Sequence, residues 1–161
     1  MLSNPRRRVH SRIIQLGFAL ATSVFGQTNS PAATISADLC IYGGTAGGVA
    51  AAVQAARLGR SAVVVEFGQN LGGMTSGGLG ATDIGNKAAI GGIAREFYQR
   101  VARHYAADSA WRFEKRSDYF AQHGGRSTLA EMNVPGAAQW TFEPHVAEAI
   151  LFAMLKEAKV P

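Results

Sequence analysis

Apolar positions along the chain fall into short unbroken runs that alternate with segments of helical spacing. Residues 39–42 are an almost wholly apolar run ending at glycine, the pattern of a parallel strand buried on both faces. Residues 46–58 carry almost no charge and are crowded with alanine. There Val49, Val53 and Ala56 share one helical face, and Gly59 is placed as a C-terminal cap. Residues 62–65 are a second apolar, β-branched run that ends at Glu66. The spacing predicts strand, helix, strand over residues 38–66.

Helical spacing returns over residues 93–107, where Ile93, Phe97, Val101 and Tyr105 recur on one face. Arg95, Glu96, Gln99, Arg100 and Arg103 lie elsewhere and read as a solvated face, with Glu96 and Arg100 spaced as an i,i+4 pair. Residues 108–139 keep no sustained period and contain Gly124, Gly125, Pro135 and Gly136; they read as irregular, with a short helix near residues 118–122. A short extended piece, residues 140–142, leads to Pro144, well placed as the first residue of a helix. Val146, Ile150, Met154 and Ala158 form its apolar stripe, flanked by Leu151 and Leu155, and Lys156 and Lys159 sit near the negative end of its dipole. A β/α alternation requires another strand next. The expected fold class is therefore α/β, built on one βαβ unit and incomplete at its C-terminus.

Between the first strand and its helix lies Gly43-Gly44-Thr45-Ala46-Gly47-Gly48. In a dinucleotide-binding turn the first glycine makes the turn, the middle one admits the pyrophosphate, and the last lets helix and strand pack closely. Gly43 and Gly48 fill the outer positions, while Thr45 stands where the middle glycine belongs. Free N–H groups and the positive end of the helix dipole would face the phosphates. Glu66, eighteen residues beyond Gly48, is placed to accept hydrogen bonds from ribose hydroxyls. A second glycine-rich stretch, residues 71–80, is too glycine-rich for a stable helix or strand. It reads either as a flexible surface loop or as backbone brought close to a ligand, with Thr75 and Ser76 offering hydroxyls to phosphate oxygens.

Composition changes this picture mainly at the N-terminus. The net charge of +5 invites a nucleic-acid partner, but Arg6, Arg7, Arg8 and Arg12 precede the first apolar segment; removing those four from the sixteen Lys and Arg leaves twelve against eleven Asp and Glu. The body is nearly neutral, with no basic stripe interleaved with aromatics, so nucleic acid is disfavoured. Residues 1–33 have the anatomy of an export signal and short linker: arginines, an apolar segment over residues 13–25, then small and polar residues. The segment is shorter than the ~20 residues of a membrane-spanning helix, so cleavage, after Ala21 or Gly26, is favoured over a stable membrane span. The consecutive arginines also allow a twin-arginine route beside the general secretory one, and a disordered N-terminal arm is the plainer alternative.

Other chemistries find little support. The single cysteine, Cys40, excludes a disulfide framework within the chain and reads as a small buried hydrophobe. No cysteine pair, HExxH or histidine–carboxylate cluster supports a metal site, and no GxSxG elbow supports a serine hydrolase. Gly80 and Gly85 have phosphate-loop spacing, but Asn86 and Lys87 break the pattern. His104 and His123 lack recognisable partners, and His145 lies in a helical first turn, where a lone histidine is usually a surface residue. The catalytic residues stay unknown.

The segments DLCIYGGTAGGVAAAVQAARLGRSAVVVE, LGGMTSGGLGATDIGNKAAIGGIAREFYQRV and WTFEPHVAEAILFAMLKEA, in this order, resemble the N-terminal part of FAD-dependent oxidoreductases of the glutathione-reductase-like Rossmann superfamily. Within it they are similar to the bacterial exported group often labelled "xanthan lyase", in which threonine at the middle glycine position is usual. The resemblance implies a Rossmann-like βαβ FAD-binding domain over residues 37–161. In it Gly43, Gly44, Thr45, Ala46, Gly47 and Gly48 hold the pyrophosphate of FAD, and Glu66 binds the adenosine ribose. It further implies that Gly72, Gly73, Met74, Thr75, Ser76, Gly77 and Gly78 lie along the pyrophosphate and reach towards the flavin ring. Family members run well beyond 161 residues. The expected function is that of the cofactor-binding portion of an exported FAD-dependent oxidoreductase, with substrate and electron acceptor open and the isolated chain inactive. A truncated non-catalytic nucleotide-binding fragment and an NAD-dependent dehydrogenase are the alternatives.

Overall fold

Glycine at position 48 decides how closely the first helix can approach the sheet. A methyl group built there would collide with the carbonyl oxygen of Gly43 and lie 3.2 Å from Ile41 Cγ2. In the computed structural model, which describes residues 34–123 and 126–161, the chain uses that clearance to run from strand β1 (Leu39–Tyr42) into helix α1 (Ala46–Arg57) and back to strand β2 (Ala62–Val65). The strands pair in parallel, Leu39 opposite Ala62 and Tyr42 opposite Val65. Helix α1 ends as expected at Gly59, whose φ of 74° suits glycine; Arg60 N–H donates to the Ala55 carbonyl and Gly59 N–H to that of Ala56, satisfying the last turn. The expected export signal, its arginines and its cleavage sites lie outside the described residues, as do Gly124 and Gly125.

Helix α2 (Gly92–Tyr105) and the closing helix α5 (Pro144–Glu157) pack with α1 around one core. Val49, Ala52 and Val53 of α1, Phe97 and Val101 of α2, and Val146, Ala147, Leu151 and Met154 of α5 are buried in it. These are largely the apolar stripes that helical spacing picks out. The extended piece before α5 also forms. Ala81 and Thr141 bridge antiparallel, with Thr82 N–H donating to the Trp140 carbonyl and Phe142 N–H to that of Gly80.

Four expectations are corrected. Strand β1 is not buried on both faces: Leu39, Cys40 and Tyr42 are exposed, because the described sheet has two strands and β1 is flanked by β2 alone. Cys40 is for the same reason no buried hydrophobe. The charges of α2 are not simply a solvated face. Arg57 of α1, Glu96 and Arg100 of α2 and Glu157 of α5 form a chain of ion pairs at 2.8, 2.8 and 2.5 Å that ties the three helices together. Residues 108–139 are more regular than their lack of period predicts. They contain a 3₁₀ turn Asp108–Ala110 and helices α3 (Arg116–His123) and α4 (Leu129–Met132), the latter closed by a capping box between Thr128 and Glu131. The short helix expected near residues 118–122 forms within α3, whereas α4 is too short for periodicity to register.

Among the described residues no helix is long and apolar enough to cross a membrane. After α5, Lys159 adopts φ of 56°, the one non-glycine residue described in the left-handed region, and turns the chain so that the Pro161 carbonyl accepts from Val64 N–H at 3.0 Å on β2.

Two stability predictions follow from this packing. Replacing Gly48 by alanine should cost about 1–3 kcal/mol, because the obstructing atom is backbone and cannot step aside; urea denaturation measures it. The hydrogen bond from Arg57, helped by Arg100, pulls the Glu96 carboxyl down to about 2 from the usual 4.5. A depressed carboxyl contributes stability that is fully present above its unfolded value and lost as the pH falls through its folded one. Stability should therefore decline between about pH 4.5 and 2, and Glu96→Gln should flatten that decline.

Candidate dinucleotide site

The turn that leaves β1 is anchored before it meets any ligand. Gly43 N–H donates to the Val65 carbonyl at 2.8 Å, joining the turn to the end of β2. Thr45, the departure from the glycine pattern, is the N-cap of α1: its hydroxyl oxygen accepts from Gly48 N–H at 3.1 Å, and its carbonyl accepts the first helical hydrogen bond, from Val49 N–H. Capping demands an extended backbone and a short oxygen-bearing side chain, which glycine cannot supply. With Gly48 N–H spoken for, the first-turn N–H groups of Ala46 and Gly47 still have no intrahelical acceptor and stand at the positive end of the helix.

Glu66 closes the turn from the other strand. Its carboxylate accepts from Gly44 N–H at 2.6 Å and from Gly68 N–H at 2.7 Å. These bonds, that from Gly68 first and that from Gly44 next, hold the carboxyl below its ordinary value, so Glu66 is ionised at neutral pH. A groove of about 430 Å³ runs beside it, lined by Gly68, Asn70, Leu71, Phe152 and Lys156 among others.

The second glycine-rich stretch lies directly against the first. Gly72 pairs with Thr45 in a parallel bridge, and its N–H donates to the Gly44 carbonyl at 2.7 Å. Leu71 is buried with its side chain over Gly44, where any β-carbon would collide with it. Leu71 N–H donates to the Glu148 carboxylate of α5 at 2.9 Å. Gly72 itself has φ of 105°, and a β-carbon there would run into Ser76 and Leu151. The reading of this stretch as a flexible surface loop is thus corrected: its first half is pinned, and Gly73–Thr75 forms a 3₁₀ turn despite the glycines. Ser76 donates its hydroxyl to the Leu71 carbonyl, so that proton is committed within the loop. Gly73, Met74, Gly77 and Gly78 are exposed on the outer side.

The structure thus joins residues 43–48, Glu66 and residues 72–76 into one surface. His104 is exposed, with its ring packed edge-on to Tyr105, and His145 is exposed in the first turn of α5. Among the described residues no three His, Cys, Asp or Glu side chains gather where a metal could be held. Sequence reasoning missed Leu71, Glu148 and Leu151, which pin the second loop from below. Leu71 sits at the edge of the glycine run, and the other two look like ordinary members of a helix.

Residues 38–161 match the family described as FAD dependent oxidoreductase. The chain belongs to that family. No curated protein matches it. Family membership makes FAD the cofactor, and the residues present fit it: a pyrophosphate needs free N–H groups at a helix start with little side-chain bulk before them, and the joined glycine loops provide both.

Restoring glycine at position 45 would remove the cap without improving the turn. Thr45→Ala should destabilise by about 0.5–2 kcal/mol and Thr45→Gly by only a few tenths, as read by thermal or urea unfolding.

Proposed function

We propose that this chain is the cofactor-binding portion of an exported FAD-dependent oxidoreductase, similar to the group often labelled "xanthan lyase". The observation that carries the reading is the Thr45–Gly72 bridge, which makes two glycine loops one surface at the start of α1. Ala46 and Gly47 N–H groups hold the pyrophosphate, with residues 72–78 alongside and Thr75 as a hydroxyl donor. Glu66, already ionised and oriented by Gly44 and Gly68, accepts from the adenosine ribose hydroxyls. FAD supplies the electron-transfer chemistry when bound; the chain's own residues bind and orient it. Substrate and electron acceptor are open.

Further strands from outside these 161 residues complete the flavin domain in this reading. The exposed β1 and the hydrogen bond from Val64 to Pro161 on the far edge of β2 support it. Residues 1–33 act as the export signal, by the general or the twin-arginine route. Mass spectrometry of the exported protein should find a new N-terminus after residue 21 or 26; unchanged export after replacing two of Arg6, Arg7 and Arg8 by lysine would exclude the twin-arginine route.

The cofactor reading is tested by titrating the purified chain with FAD and, separately, NAD while following flavin absorbance and thermal unfolding. FAD should raise the midpoint, by about 2.7 kcal/mol of stability at a hundredfold excess over its dissociation constant, and Glu66→Gln should weaken FAD about tenfold through the loss of a charged acceptor. Stabilisation by NAD and not FAD would favour the dehydrogenase. Absence of both cofactor uptake and cooperative unfolding would favour a truncated, non-catalytic product.

A further inference from the structure

Two aromatic rings stand in solvent where the strands end. Tyr42 closes β1 and is 78% exposed; Phe67 follows Glu66 and is 86% exposed. Their ring centroids lie 6.5 Å apart with the planes inclined by 26°, within the range over which stacked rings attract. Neither belongs to the buried core, so the pair adds little to the fold by burial. Part of the Tyr42 exposure comes from the open edge of β1. Phe67 differs, because it lies past the last residue of β2 and belongs to no strand.

The turn after β2 fixes where Phe67 stands. Gly68 N–H donates to the Glu66 carboxylate at 2.7 Å, which bends the chain at residue 67 and leaves its side chain in solvent. The same carboxylate accepts from Gly44 N–H at 2.6 Å, and Tyr42 sits opposite Val65 in the strand register. The aromatic pair, Glu66 and the first glycine turn therefore share one corner of the molecule. In the adenosine diphosphate half of a dinucleotide, the pyrophosphate leaves the ribose at C5′ and the base leaves it at C1′, at opposite ends of the sugar. With the pyrophosphate at the start of α1 and the ribose hydroxyls at Glu66, the base extends past Glu66 and away from the helix. Phe67 is the next residue in the chain.

We infer that Tyr42 and Phe67 form a stacking platform for the purine base of the bound dinucleotide, with Phe67 meeting the base and Tyr42 backing it. The inference rests on the dinucleotide reading of residues 43–48 and Glu66, and supplies a partner for the part of the adenosine half that those residues do not touch. Stacking suits the two exposed rings, since it uses the face of the base and needs no hydrogen-bond partner at its edge.

ADP and inorganic pyrophosphate test it, since they share the diphosphate and only ADP carries a base. In NMR titrations of the full chain, both should shift the Ala46 and Gly47 amide resonances. Only ADP should also shift the Phe67 ring resonances, and its adenine H2 and H8 protons should move upfield, as protons over an aromatic face do. Phe67→Ala should weaken ADP by about five- to a hundredfold, the worth of one stacked base, and leave pyrophosphate binding unchanged. Phe67→Tyr keeps the ring and should bind ADP as the unaltered chain does. The inference is overturned if ADP moves the Ala46 and Gly47 amides but not the Phe67 ring, if it moves the ring of Phe152 in the groove on the other side of Glu66 instead, or if Phe67→Ala binds ADP undiminished. In those cases the dinucleotide reading stands. If neither probe moves the Ala46 and Gly47 amides, that reading fails and the inference fails with it. Should Phe67→Ala not fold, the Phe67 and adenine resonances of the unaltered chain decide.

Discussion

Three groups compete for the space beside the Gly44 α-carbon: the Leu71 side chain, the Glu66 carboxylate and the turn itself. A side chain at position 44 would displace both neighbours. Glu66 would then lose its hold on the Gly44 amide, and Leu71 would leave the place from which residue 72 pairs with residue 45. The joined surface of the two glycine loops depends on that close approach. Backbone amides become an anion site only when they are held still and aimed together, and here the holding is done by contacts that no ligand needs to supply.

The helices serve this arrangement from behind. Helix α5 presents Glu148 to the Leu71 amide and Leu151 to the back of Gly72, so the second loop rests on a helix that is itself locked to α1 and α2. The ion-pair chain from Arg57 through Glu96 and Arg100 to Glu157 lies at the rim of the same helix trio. Ion pairs that stay in contact with solvent contribute little singly, and several joined in a network contribute more. Here they orient three helices whose apolar stripes already meet.

Much of the fold could be read from the chain because its main elements are long or strongly patterned. The βαβ unit, α2 and α5 each bury a periodic stripe, and their ends carry recognisable stops such as Gly59 and Pro144. The burial of β1 could not be read that way: an apolar run shows what a strand can tolerate on its faces, while its actual cover depends on neighbouring strands, and among the described residues β1 has only β2. Helix α3 was legible only as a short helix near residues 118–122, and α4 escaped because four residues give too few turns to establish a period. The turn over residues 43–48 and the strand end at Glu66 were legible through spacing. The role of Thr45 as a cap, and the support from Leu71 and Glu148, needed the three-dimensional contact, since a residue seventy-seven positions away leaves no local trace.

That separation also orders events during synthesis. The strand–helix–strand unit is complete in sequence by Glu66, and its contacts are local enough to form early. The amide of Leu71, however, finds its acceptor only when Glu148 has left the ribosome, and the back of Gly72 is covered only when Leu151 has. For roughly eighty residues of elongation the nascent chain carries a first glycine turn without its finished counterpart. On this scheme the cradle matures late, as a product of helix docking rather than of the motif that marks it in the sequence.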